Sequence, residues 1–256
     1  MTINRRKIMK LLFFIFTFLL AGSAVYAAVA HPAVAEPISF SLDTIKKPLV
    51  FSDSISLLIA LSSISLIPFF LITTTSFLRI IIVLGSLRMA LGTQQSPPNS
   101  VLIAVALFLT VFIMSGVWGQ IEKTALVPYN KGKISQEQAI NNAITPLKSF
   151  MLRQVKESDL ALLIQISKIK VAKPDDVPIW VVIPAFIMSE ITIGFSIAFV
   201  IFIPFVLVDL IVANVLLSLG MFMLSPVMIS LPFKILLFVL ADGFALITKG
   251  LLLSFH

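Results

Sequence analysis

The sequence contains no cysteine and only two histidines, His31 and His256, which lie near its two ends. The lack of cysteine excludes disulfides, thiolate catalysis and cysteine-ligated zinc or iron–sulfur sites. Two histidines so far apart in the chain do not favour a histidine metal site or a catalytic triad. The P-loop motif GxxxxGKS or GxxxxGKT is also missing, which excludes nucleotide hydrolysis of that type. We therefore predict a protein that is not an enzyme and that needs no metal and no cofactor.

Charged residues are scarce, since they make up 12% of the 256 residues while 59% are hydrophobic. Soluble domains average about 25% charged residues. The mean hydropathy of +1.08 points the same way, so the composition predicts an integral membrane protein. The net charge is +7, but four of the 19 basic residues precede the first apolar run, and without them it falls to +3. The basic balance is thus partly a targeting signal, and no nucleic-acid partner is expected.

Residues 1–30 have the pattern of a secretory signal peptide. A basic segment precedes an apolar core at residues 11–20, which is short for a membrane span of about 20 residues. Small residues suited to cleavage follow, and cleavage as late as residue 35 fits the same pattern. An uncleaved first membrane helix is the alternative interpretation.

Residues 36–118 are predicted to contain the N-terminal hairpin helices, after a short polar lead-in at residues 36–53. Residues 54–78 and 99–118 carry no charge, and each is long enough to cross a hydrocarbon layer of about 30 Å. Pro68 is expected to kink the first of these stretches.

A short helix framed by Arg79 and Arg88 leads into a loop at residues 92–99. We expect both arginines to extend toward a membrane interface. Two adjacent prolines in the loop stop the helix, and Asn99 or Ser100 is expected to cap the next one.

Residues 119–178 differ in kind, because they hold nine basic and six acidic residues. Ser135 with Gln138 fits a capping box, and residues 158–159 are expected to cap a second helix that runs through Ile169. An apolar stripe on the first helix is expected to pack against the chain's own helices or a subunit rather than bind a ligand. The stripe comprises Ile140, Ile144, Leu147, Phe150 and Met151. The segment is predicted to be a small helical extramembrane domain.

Two signals conflict over the side of the membrane on which residues 119–178 lie. A cleaved signal peptide followed by two spans places them outside the cytoplasm, whereas nine basic residues in a loop favour the cytoplasm. The signal pattern is the more specific of the two, so we expect this domain to be exposed to the periplasm.

Residues 179–256 are predicted to form apolar helical hairpins that carry a loop between them. Helix-length pieces run over residues 185–203, 205–224 and 233–254, and prolines separate them. Five charges interrupt the apolar sequence: Glu190, Asp209, Lys234, Asp242 and Lys249. A charge in hydrocarbon is costly, so each needs a partner or a water-filled space. The residues alone fit either a proton relay in a secondary transporter or ion pairs that fix helices or subunits.

Several stretches, in order along the chain, resemble the FliP family of flagellar biosynthesis proteins, which has a related SctR branch in virulence injectisomes. They are residues 87–99 (LRMALGTQQSPPN), 201–205 (IFIPF) followed by 208–210 (VDL), 220–223 (GMFM), 231–234 (LPFK) and 238–243 (FVLADG). The family loop in the first stretch consists of Gly92, Gln94, Gln95, Pro97, Pro98 and Asn99. Phe222 interrupts what is often a run of three methionines, and Phe244 stands where the family often has tryptophan. The signal segment and the Thr-Gln-Gln sequence favour the flagellar branch.

The resemblance implies a pore-forming subunit of the flagellar type III protein export gate, in the bacterial inner membrane at the flagellar basal body. It implies five copies assembled with FliQ and FliR in a helical complex, with FlhA and FlhB as further partners and membrane lipid around it. Such a complex passes unfolded flagellar subunits across the membrane for flagellum assembly. The alternatives are the homologous subunit of a virulence injectisome and an ion-coupled secondary transporter.

Met221, Phe222 and Met223 fit core packing when the residues alone are considered, because methionine fills irregular gaps. The resemblance instead implies that they form the methionine gasket of the pore.

The resemblance also implies an ion pair between Glu190 and Lys234 of neighbouring subunits. Asp209 and Asp242 are expected to be structural polar residues, and the sequence leaves open whether they cap helices, make polar contacts or face water.

Overall fold

The computed structural model describes residues 62, 65, 66, 68–93, 96–169, 171 and 173–255. Within these ranges the backbone forms helices joined by turns, with no β-strand. In chain order the helices are α1 (Pro68–Thr74), α2 (Phe77–Leu91), α3 (Asn99–Ile113), α4 (Ser115–Ile121), α5 (Val127–Asn130), α6 (Gln136–Gln154), α7 (Glu157–Ser167), α8 (Ile179–Ser218), α9 (Pro226–Leu240) and α10 (Gly243–Leu253). A π-helical turn (Glu122–Leu126) joins α4 to α5, and a 3-10 turn (Pro174–Asp176) precedes α8. The prediction of an all-helical protein is confirmed.

Some predictions fall outside the described ranges. These are the signal peptide at residues 1–30 with cleavage up to residue 35, the lead-in at residues 36–53, and the family-loop residues Gln94 and Gln95.

Helix α8 is the longest apolar element in the described part of the chain. It has 40 residues with a mean hydropathy of 2.8 in its most apolar window. At 1.5 Å per residue it would be about 60 Å long, roughly twice the thickness of a bilayer's hydrocarbon layer. Three further pairs of apolar helices are bent at short breaks: α1 with α2 by 86°, α3 with α4–α5 by 55°, and α9 with α10 by 63°. The described chain therefore offers one continuous membrane-crossing helix, or up to four spans if each bent pair counts as one.

The bend between α1 and α2 follows Thr74, whereas the sequence placed a kink at Pro68. Thr75 explains the position of the bend. Its hydroxyl donates a hydrogen bond to the carbonyl of Leu71, and its oxygen accepts one from the amide of Phe77 at 3.3 Å. The same side chain thus satisfies a free carbonyl at the end of one helix and a free amide at the start of the next.

Prolines do not divide the C-terminal block in the way we predicted. Pro204 lies inside α8 and Pro232 lies inside α9, so the expected breaks at these positions are wrong. Only Pro226 stands at a boundary, in the first turn of α9. A proline removes one backbone hydrogen bond from a helix, whereas a full break in apolar surroundings would expose several unpaired groups. Continuing the helix is therefore the less costly solution.

Helix α2 is central to the buried core and packs along α8. Gly194 of α8 makes this approach possible, because a β-carbon at that position would lie 3.1 Å from Cγ2 of Ile82. Around this contact the core is formed by fully buried apolar residues of both helices: Ile80, Val83, Val182, Ala185 and Phe186. The α2–α8 pair is the frame that positions the site described below.

The segment of residues 119–178 confirms one predicted cap. The amide of Gln138 donates to Oγ of Ser135 at 3.3 Å, and the amide of Ser135 donates to Oε1 of Gln138 at 3.2 Å. The C-terminal part of the apolar stripe on α6 packs into the chain's own core, since Phe150 and Met151 are buried. Ile140, at the other end of the stripe, is exposed.

The second predicted cap is wrong. Helix α7 begins at Glu157 after Lys156, without a side-chain cap, and it ends at Ser167 instead of Ile169. The carboxylate of Asp159 accepts a hydrogen bond at 2.6 Å from the hydroxyl of Ser189 on α8. The carboxylate of Asp159 therefore bonds to a residue of another helix instead of capping its own helix, as its position in the sequence suggested.

Candidate functional site

The turn between α8 and α9 is held by a defined helix-ending motif. Gly220 has a left-handed backbone with φ of 73°, which glycine adopts without steric cost. Its amide donates to the carbonyl of Leu217 at 3.1 Å, and the amide of Met221 donates to the carbonyl of Leu216 at 2.9 Å. This is the Schellman pattern, in which two free carbonyls at a helix end are satisfied by the residues that follow. The methionine-containing loop, residues 220–224, is therefore a fixed tip on the α8–α9 hairpin.

The side chains of this loop are exposed despite being apolar. Met223 is 99% exposed, Phe222 is 76% exposed and Met221 is 43% exposed. Packing of these residues in the core of the chain, which the residues alone favoured, is therefore wrong. A loop that presents three large apolar side chains needs lipid, a partner or a pore to cover them.

Arg79 and Glu190 form a fully buried ion pair between α2 and α8. The side chain of Arg79 is 1% exposed and that of Glu190 is 0% exposed. Nε of Arg79 donates to Oε2 of Glu190 at 2.9 Å, and Nη2 donates to Oε1. The two parallel hydrogen bonds match the planar guanidinium to the planar carboxylate. The expectation that Arg79 extends to a membrane interface is wrong, because a buried acid holds it inside.

The remaining donors of Arg79 reach two further parts of the chain. Nη1 donates to the carbonyl of Ser254 at 2.7 Å, and Nη2 donates to Oε1 of Gln154 at 3.1 Å. The guanidinium carbon lies 3.8 Å from the ring centroid of Phe255. Arg79 therefore ties α2, the end of α6, α8 and the segment after α10 to one point, which we call the arginine node.

Lys234 forms a second ion pair, between α9 and α8. Its Nζ lies 2.6 Å from Oδ2 of Asp209, and the two side chains are 5% and 32% exposed. Ser230 donates to Oδ1 of Asp209, and Nζ of Lys234 reaches the carbonyl of Ala90 at 3.4 Å. Asp209 is thus a polar contact, one of the three roles expected for it. This second ion pair, which we call the lysine node, joins the α8–α9 hairpin to the end of α2.

The structure does not bring Glu190 and Lys234 together within the chain. Each is satisfied by another residue of the same chain, Glu190 by Arg79 and Lys234 by Asp209. A contact between neighbouring subunits would require the fully buried carboxylate of Glu190 to become accessible. The predicted inter-subunit pair stays a prediction.

The described part of the family loop is fixed by Arg88. Gly92 ends α2 in a left-handed conformation with φ of 77°. Nη1 of Arg88 donates to Oδ1 of Asn99 at 2.6 Å and to the carbonyl of Pro97 at 3.4 Å. The expected cap by Asn99 or Ser100 is wrong, because Pro98 holds the cap position of α3 and Asn99 uses its side chain on Arg88. Pro97 and Pro98 thus sit between the two helices as predicted.

Sequence reasoning missed Arg79 as the partner of Glu190. The pair joins residues 111 positions apart in the sequence, so no helical spacing connects them. One signal was available, because an arginine next to a long uncharged stretch needs a buried acid as much as Glu190 needs a cation. Among the described residues no cluster of three His, Cys, Asp or Glu side chains could hold a metal ion.

We expect Lys234→Met to lower the free energy of unfolding by about 1–2 kcal/mol. The change leaves Asp209 with Ser230 as its only hydrogen-bonding side chain, but the one-third exposure of Asp209 allows water to offset part of the loss. Denaturant titration in detergent measures the effect. The double variant Lys234→Met with Asp209→Leu is expected to lose less than Lys234→Met alone, and a larger loss in the double variant would contradict the pairing.

The geometry defines an all-helical membrane protein whose helices are joined by two ion pairs, one of them fully buried, and whose longest hairpin carries an exposed apolar tip. Residues 60–251 match the family model described as the FliP family. The chain belongs to the FliP family.

Similar proteins share most of the chain. The chain is 50% identical over 207 residues to the flagellar biosynthetic protein FliP of Bacillus subtilis (strain 168). The matched residues cover 80% of this chain and 93% of that protein. It is 47% identical over 207 residues to the protein of the same name from Aquifex aeolicus (strain VF5), covering 80% and 87% of the two chains. It is 47% identical over 204 residues to that of Pectobacterium carotovorum subsp. carotovorum, covering 79% of each.

Proposed function

We propose that the chain is a pore-forming subunit of the flagellar type III protein export gate, which passes unfolded flagellar subunits across the bacterial inner membrane. Membership of the FliP family and the flagellar names of its relatives support a role in flagellar biosynthesis. The observation that carries the pore-forming role is the tip of the α8–α9 hairpin, where Met223 is 99% exposed. The same relatives favour the flagellar apparatus over an injectisome.

The chemistry of the tip suits a gate for unfolded chains. An apolar constriction excludes water and so blocks ions even when its opening is wider than an ion. Methionine is flexible and polarisable, so a ring of such side chains yields around segments of many different sequences. The Schellman turn at Gly220 keeps the tip in place while its side chains move. The gate is thus soft at its surface and fixed at its base.

One copy of the chain supplies a single loop and cannot enclose a pore, so the proposal requires several copies. Five copies with FliQ and FliR, together with FlhA and FlhB, are the assembly we propose. The apolar side chains exposed along α8 and α9 support it, because they offer surface for neighbours as well as for lipid: Phe199, Ile211, Leu236, Val239 and Leu240. The chain carries no P-loop, so we assign the driving force to partner proteins.

The buried charges support a structural role over a proton relay. Glu190 and Asp209 each hold a cation of the same chain at hydrogen-bonding distance. A relay requires carboxylates that exchange protons with a water path. The paired arrangement is the one that joins helices, and it gives no specific support to an ion-coupled transporter.

Replacing Met221 and Met223 together with alanine is expected to make the gate leak. The shorter side chains leave a wider, wetter opening, so we expect the passage of small ions to rise on the order of tenfold or more. The measurement is ion flux through proteoliposomes that contain the assembled complex, compared with the unmodified complex.

The matched control is Met228→Ala. Met228 lies on α9 outside the tip and is also strongly exposed, so the change removes a methionine without altering the loop. We expect its flux to equal that of the unmodified complex. An unchanged flux in the Met221 and Met223 double variant, with the complex intact, would refute the gate role of the loop.

A further inference from the structure

Helix α10 and the residue before it carry two opposite charges that no other described residue neutralises. The side chains of Asp242, at the cap of the helix, and Lys249 are both exposed. Neither side chain makes a hydrogen bond or ion pair with another described residue, unlike the side chains of Glu190, Asp209 and Lys234. Their surroundings are apolar, since Leu240, Phe244 and Leu246 are all more than half exposed.

The two charges lie too far apart to pair with each other. Asp242 immediately precedes α10 in a left-handed conformation, and Lys249 lies seven residues further on, about 10 Å along the helix axis. A shallow groove of about 520 Å³ runs along the helix and includes Ala245, Thr248 and Lys249 in its lining. The short side chain of Ala245 leaves room for a neighbouring backbone. The exposed face of α10 therefore has a negative charge at its start and a positive charge near its end.

We propose that this face is a contact between copies of the chain, in which Asp242 of one copy pairs with Lys249 of the next. The inference rests on the proposed function, since it needs the several copies that a gate requires. Lipid is a poor occupant, because a carboxylate and an ammonium group on an apolar surface are costly to leave unpaired in hydrocarbon. A second copy supplies the missing charge at both ends. When the second α10 helix is displaced by two turns along the first, Lys249 of the second copy lies beside Asp242 of the first.

This arrangement makes the contact heterologous. Each copy uses Asp242 toward one neighbour and Lys249 toward the other, so the contact continues from copy to copy. It gives a ring if the rotation between copies closes and an open helix if it does not. If the α10 helices cross the membrane, copies inserted in the same orientation have parallel α10 helices. Two-fold pairing of antiparallel α10 helices is then excluded. The stagger of about 10 Å is set by the spacing of the two residues.

The first test measures the amount of the oligomer in detergent for charge variants. Asp242→Asn removes the charge and keeps a residue that tolerates the left-handed conformation, with φ of 48°, found at this position. We expect this variant, and also Lys249→Glu, to lower the recovered oligomer by about tenfold. The exchange Asp242→Lys with Lys249→Asp in one chain is expected to restore it to within about twofold. Unchanged oligomer in both single variants would overturn the pairing.

The second test uses cross-linking, for which the absence of native cysteine provides a clean background. Chains with Asp242→Cys and Lys249→Cys together are treated with a short bismaleimide in the assembled complex. A ladder of dimers, trimers and higher species is expected, because each copy reacts with two neighbours. The controls are the two single variants, Asp242→Cys alone and Lys249→Cys alone, which should give no ladder because each supplies only one member of the proposed pair.

The outcomes separate this inference from the proposed function. An intact oligomer that gives no ladder, or a cross-linked dimer only, overturns the α10 contact and leaves the gate proposal standing. An unmodified protein that never forms an oligomer, alone or with its partners, overturns both. A ladder from the test pair together with restored oligomer in the charge exchange supports the contact.

Discussion

Arg79→Met is expected to lower the free energy of unfolding by about 3–5 kcal/mol. The substitution keeps the length and apolar body of the side chain but leaves the carboxylate of Glu190 fully buried without its cation. It also removes the donors to Gln154 and Ser254. Denaturant titration of the protein in detergent measures the loss.

Two further variants separate the charge from the shape. Arg79→Met with Glu190→Met removes both members of the pair, and we expect it to recover more than half of the loss, because apolar side chains of similar volume replace a buried ion pair at little cost. Arg88→Met, on the same helix, is the control. Arg88 is half-buried and contacts Asn99 and the carbonyl of Pro97, so its loss is expected to be about 1 kcal/mol. Equal losses for Arg79→Met and Arg88→Met would refute the arginine node.

Gly243→Ala is expected to lower the free energy of unfolding by about 2–3 kcal/mol. A β-carbon at Gly243 would lie 2.1 Å from a ring carbon of Phe238, and the ring is itself buried against Leu87, Ala90 and Phe205. The ring cannot move aside without opening this cluster. Because Gly243 follows the 63° bend between α9 and α10, we also expect its substitution to alter the direction of α10.

Gly250→Ala is the matched control for this prediction. Gly250 lies on the same helix, and a β-carbon there would meet no atom within 4 Å apart from its chain neighbours and the backbone of its own helix. Alanine favours helix more than glycine by about 1 kcal/mol, so we expect this variant to be as stable as the unmodified protein or slightly more stable. A Gly243→Ala protein that unfolds like Gly250→Ala would show that the contact with Phe238 does not constrain the bend.

Local patterns predicted the parts of the fold that depend on residues close in sequence. The capping box at Ser135 and Gln138 and the helical apolar stripe that ends at Met151 are of this kind. The scarcity of charge likewise predicted an all-helical membrane protein, because only helices satisfy every backbone group within one segment in lipid. These signals are carried by spacing and composition, which the sequence shows directly.

The partners of the charged residues could not be read in this way. Arg79 meets Glu190 across 111 residues, and Lys234 meets Asp209 across 25, and both contacts depend on how α2, α8 and α9 pack. The contact of Asp159 was equally hidden from the sequence, since its carboxylate bonds to the hydroxyl of Ser189 on α8 instead of capping α7. The prolines were misjudged for a related reason, because a proline is as compatible with a kinked helix as with a break until the surroundings decide.

The two ion-pair nodes fix the base of the α8–α9 hairpin and leave its tip exposed. The arginine node joins α2 to α8 near Glu190, and the lysine node joins the hairpin to the end of α2 at Ala90. Helices α2 and α8 also approach each other closely at Gly194. The base of the hairpin is therefore fixed, while Phe222 and Met223 at its tip are strongly exposed in the described part of the chain. This combination fits a gate in which movement is confined to apolar side chains.

Cross-linking between loops in the assembled complex tests most directly whether the tips of several copies line one pore. A single Met223→Cys substitution, in a chain without native cysteine, places one reactive group at the most exposed point of the tip. If the tips line a common pore, a short bismaleimide will join the cysteines of different copies within an intact complex. If the intact complex reacts only with monofunctional reagents and its copies are never joined at this position, the tips do not meet and the loop is not a gate.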